Sequence, residues 1–211
     1  ALALLADHLE EDCVSLSTRS SVLCLMGDQI YADDVAAPLI RLLREKSKDL
    51  MGQELGVPHI DHPSHVPDDE RMKKLGDLDA GITSPYAHNH LISFGEFAAM
   101  YLYVFGNAPD WEVEFDNNDL GHRLRVFAES LPKVRKVLAN VPTYMIFDDH
   151  EVTDDWNITR HWYQHIQDSS CGRRIISNGI AAYWAFQGWG NDPDGFDEDC
   201  IGAISDHLQH P

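Results

Sequence analysis

The sequence predicts an α/β fold that is rich in helix, with helices packed on a few strands. Two short apolar runs, Val22 to Met26 and Thr143 to Phe147, read as strands buried on both faces. The stretches around them carry apolar residues at three- and four-residue spacing, the period of a helix with one buried face. With 44% hydrophobic and 24% charged residues, the 211-residue chain has apolar material for one well-packed domain, with room for a small second lobe.

The elements follow in order. Leu2, Leu5, Leu9 and Cys13 share one helical face, so Ala1 to Cys13 reads as an amphipathic helix. Ser15 to Ser21 breaks it, the first strand follows, and Gly27 ends that strand. Asp34 is placed to cap a helix over about Val35 to Lys48, with Pro38 tolerated near the first turn. From Met51 to Asn89 no apolar period is sustained, so about 51–90 reads as an insertion carrying one short helix. Ser93 and Glu96 form a capping box ahead of a helix that buries Phe97, Met100, Tyr101 and Val104. Trp111 to Phe115 alternates apolar and acidic residues without deciding between an edge strand and a loop. One helix is expected around Leu120, Leu124 and Phe127. A second restarts at Ser130–Pro132 and turns Val134, Val137 and Leu138 inward. After the second strand, residues 158–211 read as a helical continuation, with Gly172 to Gln187 as its clearest helix and Gly188 to Gly195 stopping it.

Composition excludes several functions. The net charge of −19, from 35 acids and 16 bases, argues against neutralising nucleic-acid phosphates and makes cations the expected partners. No apolar run approaches the roughly 20 residues of a membrane span, and no signal segment is visible. The compartment stays open, with the cytoplasm slightly favoured and the true start undetermined because the chain opens on Ala1. Cys13, Cys24, Cys171 and Cys200 form no C-x-x-C pair and read as ordinary buried thiols.

Chemistry concentrates at the strand ends. In open α/β sheets ligands bind beyond the carboxyl ends of the strands, where Asp28 and Asp149 both stand. Carboxylates brought together there repel unless a cation lies between them, and hard cations prefer oxygen ligands. Taken singly, each acid reads as readily as a turn or helix cap.

The strings GDQIYADD at Gly27 to Asp34 and DDHEVTDDWN at Asp148 to Asn157 resemble the G-D-x-I-Y and D-D-H-E blocks of the PhoD-like (alkaline phosphatase D) branch of the calcineurin-like metallophosphoesterase superfamily. The resemblance runs from the first helix through Asn157, with weaker support from SNGIAAYWAFQGWGN at Ser177 to Asn191. It implies a metallophosphoesterase sandwich and a dinuclear centre of iron, calcium, manganese or zinc that hydrolyses phosphomono- or diesters. In such a site two cations orient the phosphate and stabilise the attacking and leaving oxygens. Carried onto this chain, the resemblance makes Asp28 the bridging metal ligand and Asp149 a ligand of one metal. His150 becomes the phosphate contact and proton donor, with Tyr31 and Asn157 standing behind them. The family also has an earlier strand with metal ligands and later histidine ligands. Here Asp7–His8 lies on a helix, and His207 with His210 lacks the expected glycine-histidine pattern. The chain is therefore expected to be a partial domain, an internal fragment with about half the ligands, whose activity alone is doubtful.

Other candidates read as structure. His59, His62, His65, His88 and His90 are expected to be solvated loop histidines, and DPDGFDED at Asp192 to Asp199 fails as a calcium loop. Trp156, Trp162, Trp184 and Trp189 read as packing, and Arg173 and Arg174 as helix-end residues. The rival to the hydrolase is a noncatalytic interaction scaffold in which the 51–90 insertion binds a partner. Oligomeric state is open.

Overall fold

The computed structural model describes residues 2–12, 14–15, 17–84, 88–107, 111 and 113–209. Its helices are α1 (Leu2–Glu11), α2 (Ala37–Met51), α3 (Arg71–Asp77), α4 (Phe94–Val104), α5 (Asp119–Asn140), α6 (Arg160–Asp168), α7 (Ser170–Tyr183), α8 (Trp189–Asn191) and α9 (Glu198–Gln209). Its strands are β1 (Leu23–Leu25) and β2 (Thr143–Met145). The mixed, helix-rich α/β class expected from sequence is what the chain adopts.

β1 and β2 pair in parallel, with Leu23 opposite Thr143 and Leu25 opposite Met145. Backbone bonds from Leu23 N–H to the Pro142 carbonyl (2.9 Å) and from Ile146 N–H to the Leu25 carbonyl (3.0 Å) extend the ladder. The far edge of β2 is taken by Asn191, whose side-chain amide donates to the Met145 carbonyl and accepts from the Met145 N–H, as a third strand would. The strands are not buried on both faces as the apolar runs predicted. Val22, Met26, Tyr144 and Ile146 are exposed, and so is Cys24, which was expected to be a buried thiol. Cys171 is buried and Cys200 half-buried, while Cys13 lies outside the described residues.

The core sits on the other side of the molecule, around α4. Ser93 and Glu96 make the predicted capping box, and the helix buries Phe97, Met100, Tyr101 and Val104 against α2 and α7. Gly95 allows the closest approach, since a Cβ there would stand 2.3 Å from Ser47 Oγ on α2. α2 begins later than expected: Ala36, not Asp34, is its cap residue. The Val35 N–H already bonds to the Asn89 carbonyl (3.1 Å), which holds the preceding chain extended.

The 51–90 segment is part of this core. Val57, Ile60, Val66 and Leu75 are buried in it, and α3 is its one α-helix among the described residues. Arg71 on α3 is fully buried and meets Glu96 at 2.7 Å while donating Nε to the His90 carbonyl at 2.7 Å. Glu96 Oε2 also accepts the Ile92 N–H. His90 is buried, contrary to its reading as a solvated loop residue, and its burial holds its pKa low.

α5 runs unbroken through Pro132, where two helices were expected. The proline faces outward and forfeits one backbone bond, while Leu131, Val134 and Val137 on the other face stay buried. The amino-terminal turns are exposed, Leu120 and Phe127 included. α1 packs on α5 through Ala6. α7 continues past Gly188 by way of a π-helical turn (Trp184–Gly188) into α8 and ends at Asn191, inside the Gly188 to Gly195 stretch expected to stop it.

α9 is fastened to α7 by one histidine. Arg174 Nη1 lies 3.2 Å from His207 Nδ1, and Asn178 Oδ1 lies 2.9 Å from His207 Nε2. A guanidinium only donates, so Nδ1 accepts and Nε2 carries the proton. Burial, with the Arg174 charge beside it, pushes the His207 pKa down to about 4.

Two predictions follow from the packing. Arg71→Leu leaves the Glu96 carboxylate buried without its partner and should cost about 3–5 kcal/mol, read from urea unfolding; a loss within error of zero would show that the pair is not buried in solution. His207 stays neutral when folded, so its stabilisation is present above its ordinary pKa and fades as pH falls from there toward its folded pKa of about 4. His207→Gln should flatten the fall of the melting temperature over that acid range.

Candidate metal centre

Both strands of the ribbon end at the same place. Gly27 and Asp28 follow β1, and Asp148 and Asp149 follow β2, so the parallel register brings the two pairs side by side. Gly27 has φ of 109°, and a Cβ there would lie 2.6 Å from the Cβ of Asp148. The glycine of the G-D string is what lets the turns touch.

Asp28 itself has φ of 52°, in the left-handed region that a non-glycine residue seldom occupies. The turn aims its carboxylate at Asp149 and His150, and the three present ligand atoms within 4.8 Å of one another. Asp28 Oδ2 accepts from the Tyr31 hydroxyl at 3.2 Å, while Oδ1 is buried and has no hydrogen-bond partner among the described residues. A buried, unpaired carboxylate oxygen costs free energy that a bound cation removes. Asp149 also belongs to a second trio, with Asp154 and Asp155, that meets the same distance criterion on more exposed surface. Among the described residues, no lysine or arginine pairs with any of these four acids.

His150 is held on two sides. Its ring stacks on Tyr31, with centroids 4.4 Å apart, and its Nδ1 lies 3.0 Å from Asp33 Oδ2. The carboxylate accepts, so Nδ1 carries the proton and Nε2 is the nitrogen free for a ligand or a proton transfer. Burial lowers the His150 pKa, but the Asp33 hydrogen bond and the charges of Asp33, Asp28 and Asp149 outweigh it and raise the pKa above its ordinary value. Tyr31 is raised too, by burial and then by Asp28, Asp33 and Asp149, and so remains a donor.

Of the residues singled out from sequence, Asp28, Asp149, His150 and Tyr31 come together. Asn157 does not: it is exposed, makes no side-chain hydrogen bond among the described residues, and lies on a separate cavity wall with Trp156 and Trp162. His210 lies outside the described residues, and His207 is engaged with α7.

Sequence reasoning passed over two residues. Asp33 is buried and accepts from His150, Ser84 Oγ and the Asp154 N–H, so one carboxylate orients the histidine and anchors the following loop. Its signal was the first acid of the ADD string, just downstream of Asp28. Glu151, also buried, accepts the Gln29 N–H from one turn and the Asp148 N–H (2.8 Å) from the other. Burial pushes its carboxyl above the ordinary glutamate range, opposed by those two N–H groups.

No protein-family model, curated protein or solved structure matches the chain.

In metal-free protein, Asp33→Asn removes the hydrogen-bonded charge that offsets burial, so the His150 pKa should fall from its raised position. NMR titration of the ring protons reads this directly; an unmoved midpoint would mean that the pair does not form.

Proposed function

We propose that the chain carries part of a metal-dependent phosphoesterase of the PhoD-like type, hydrolysing phosphomono- or diesters at a dinuclear centre. The observation that carries this reading is the meeting of Asp28, Asp149 and His150 at the carboxyl ends of two parallel strands, with a buried Asp28 oxygen lacking a partner. On this reading the β1–β2 ribbon and its helices are a portion of the metallophosphoesterase sandwich. The donor set of two carboxylates and an imidazole suits iron, manganese or zinc, and an all-carboxylate position suits calcium.

Asp28 would bridge the two ions and Asp149 would hold one of them. The bound pair supplies Lewis acidity toward the phosphoryl oxygens and lowers the pKa of the attacking water. His150, its Nδ1–H fixed by Asp33, turns Nε2 toward the two acids. In its protonated form it would contact the phosphate and give a proton to the leaving oxygen. The hydrogen bond to the Asp33 carboxylate favours that protonated form. Tyr31 keeps the ring in place by stacking and steadies Asp28 through its hydroxyl.

Asp28→Ala or Asp149→Ala should abolish metal-dependent hydrolysis of an aryl phosphate, a loss of at least about a thousandfold, with folding checked by circular dichroism. Turnover equal to the parent would remove the assignment. Stoichiometric metal in the purified chain separates the enzyme reading from a noncatalytic scaffold.

A further inference from the structure

Two cavities open along α7. The first, about 430 Å³, lies between α6 and α7 and is walled by Trp156, Trp162, Tyr163, Ile166 and Ile176. The second, about 380 Å³, lies between α7 and α9 and is walled by Tyr183, Trp184, Phe196, Ala203 and Ile204. They share Ser177 and Ile180, so the two form one trough astride a single ridge of α7. Each is of the size, roughly 300–1,000 Å³, that holds small organic ligands.

The trough adjoins the acids. Phe147 packs edge-on against Trp156 at 5.1 Å and against Tyr183 at 4.9 Å, one wall ring of each cavity, and Asp148 and Asp149 follow it in the chain. From the other direction, the Asp155 N–H donates to Asp149 at 2.8 Å and Trp156 is the next residue. The apolar walls therefore begin where the carboxylate cluster ends.

Its chemistry stands apart from the rest of the chain. Among the described residues no acid lines either cavity, and Arg173 is the only arginine or lysine that does. Ile180 on the shared ridge is 43% exposed and Tyr163 at the rim 53% exposed, apolar surface that a bound group would cover. Trp156, Trp162 and Tyr163 line one cavity and Tyr183, Trp184 and Phe196 the other, and such rings favour a flat aromatic occupant over a flexible chain through stacked or edge-to-face contacts. A cationic occupant is disfavoured by Arg173 and by the absence of carboxylates.

We propose that this trough receives the alcohol portion of the phosphate ester and selects esters of aromatic alcohols. The inference rests on the phosphoesterase reading for the word ester, and on the trough's own walls for the word aromatic. Ile180→Arg places an unpaired charge on an already exposed ridge, and Ser177→Trp fills the same ridge without charge.

The test has two arms on the full chain. In the first, calorimetry follows naphthol binding to metal-free protein; each variant should weaken it by roughly tenfold or more. In the second, kcat/KM is measured with added metal for naphthyl phosphate and for methyl phosphate, whose alcohol is too small to reach the walls. The naphthyl-to-methyl ratio should fall by a similar factor in both variants. Unchanged naphthol affinity in both variants overturns the proposal, as does an equal loss on the two esters. Should the full-length protein hydrolyse neither ester, the phosphoesterase reading falls, while the naphthol arm still decides whether the trough is a binding site.

Discussion

The carboxylate of Glu151 accepts backbone N–H groups from both strand-end turns, reaching Gln29 across a sequence separation of 122 and Asp148 across a separation of 3. A three-residue ladder is a weak fixture for two acids that repel. The Glu151 bonds satisfy donors that would otherwise be buried and unpaired, and they hold the turns at the spacing Gly27 permits. Gln187, in the π-helical turn, reaches the same carboxylate at 3.4 Å and the Tyr101 hydroxyl at 2.9 Å. The site geometry is thereby tied to α4, the most buried helix of the core.

Much of this arrangement was legible in local chemistry. The capping box at Ser93 and Glu96, the buried face of α4 and the two strand positions follow from spacing and residue type alone. The meeting of Asp28 with Asp149 and His150 followed from the placement of acids after strands. What local pattern left out was tertiary in origin. Asp34 lost its capping role to a backbone bond from Val35 to Asn89, and Pro132 stayed within a helix whose inner face buries Leu131, Val134 and Val137 around it. Asp33 is marked only by its place in the ADD string and Glu151 by nothing local in a sequence with 35 acids; burial among N–H and imidazole donors sets them apart.

The 51–90 segment shows the same limit from the other side. Its glycines, prolines and histidines lack a period, yet it is fixed in the core by Arg71, whose guanidinium meets Glu96 and the His90 carbonyl. Glu96 serves at once as capping residue, ion partner and acceptor for Ile92. A segment anchored through its interior in this way is part of the core rather than a detachable arm.

The parallel pairing of β1 with β2 has a kinetic side. A parallel connection closes only after the chain between its strands has found its place, and loop-closure entropy makes such long-range contacts slow to form. The path from Leu23 to Thr143 runs through α2, α3, α4 and α5, so the pairing spans most of the chain. The carboxylate cluster is complete only once that pairing has formed. A cation held there recognises the finished molecule and not its precursors, so its presence would weight the equilibrium toward the completed fold.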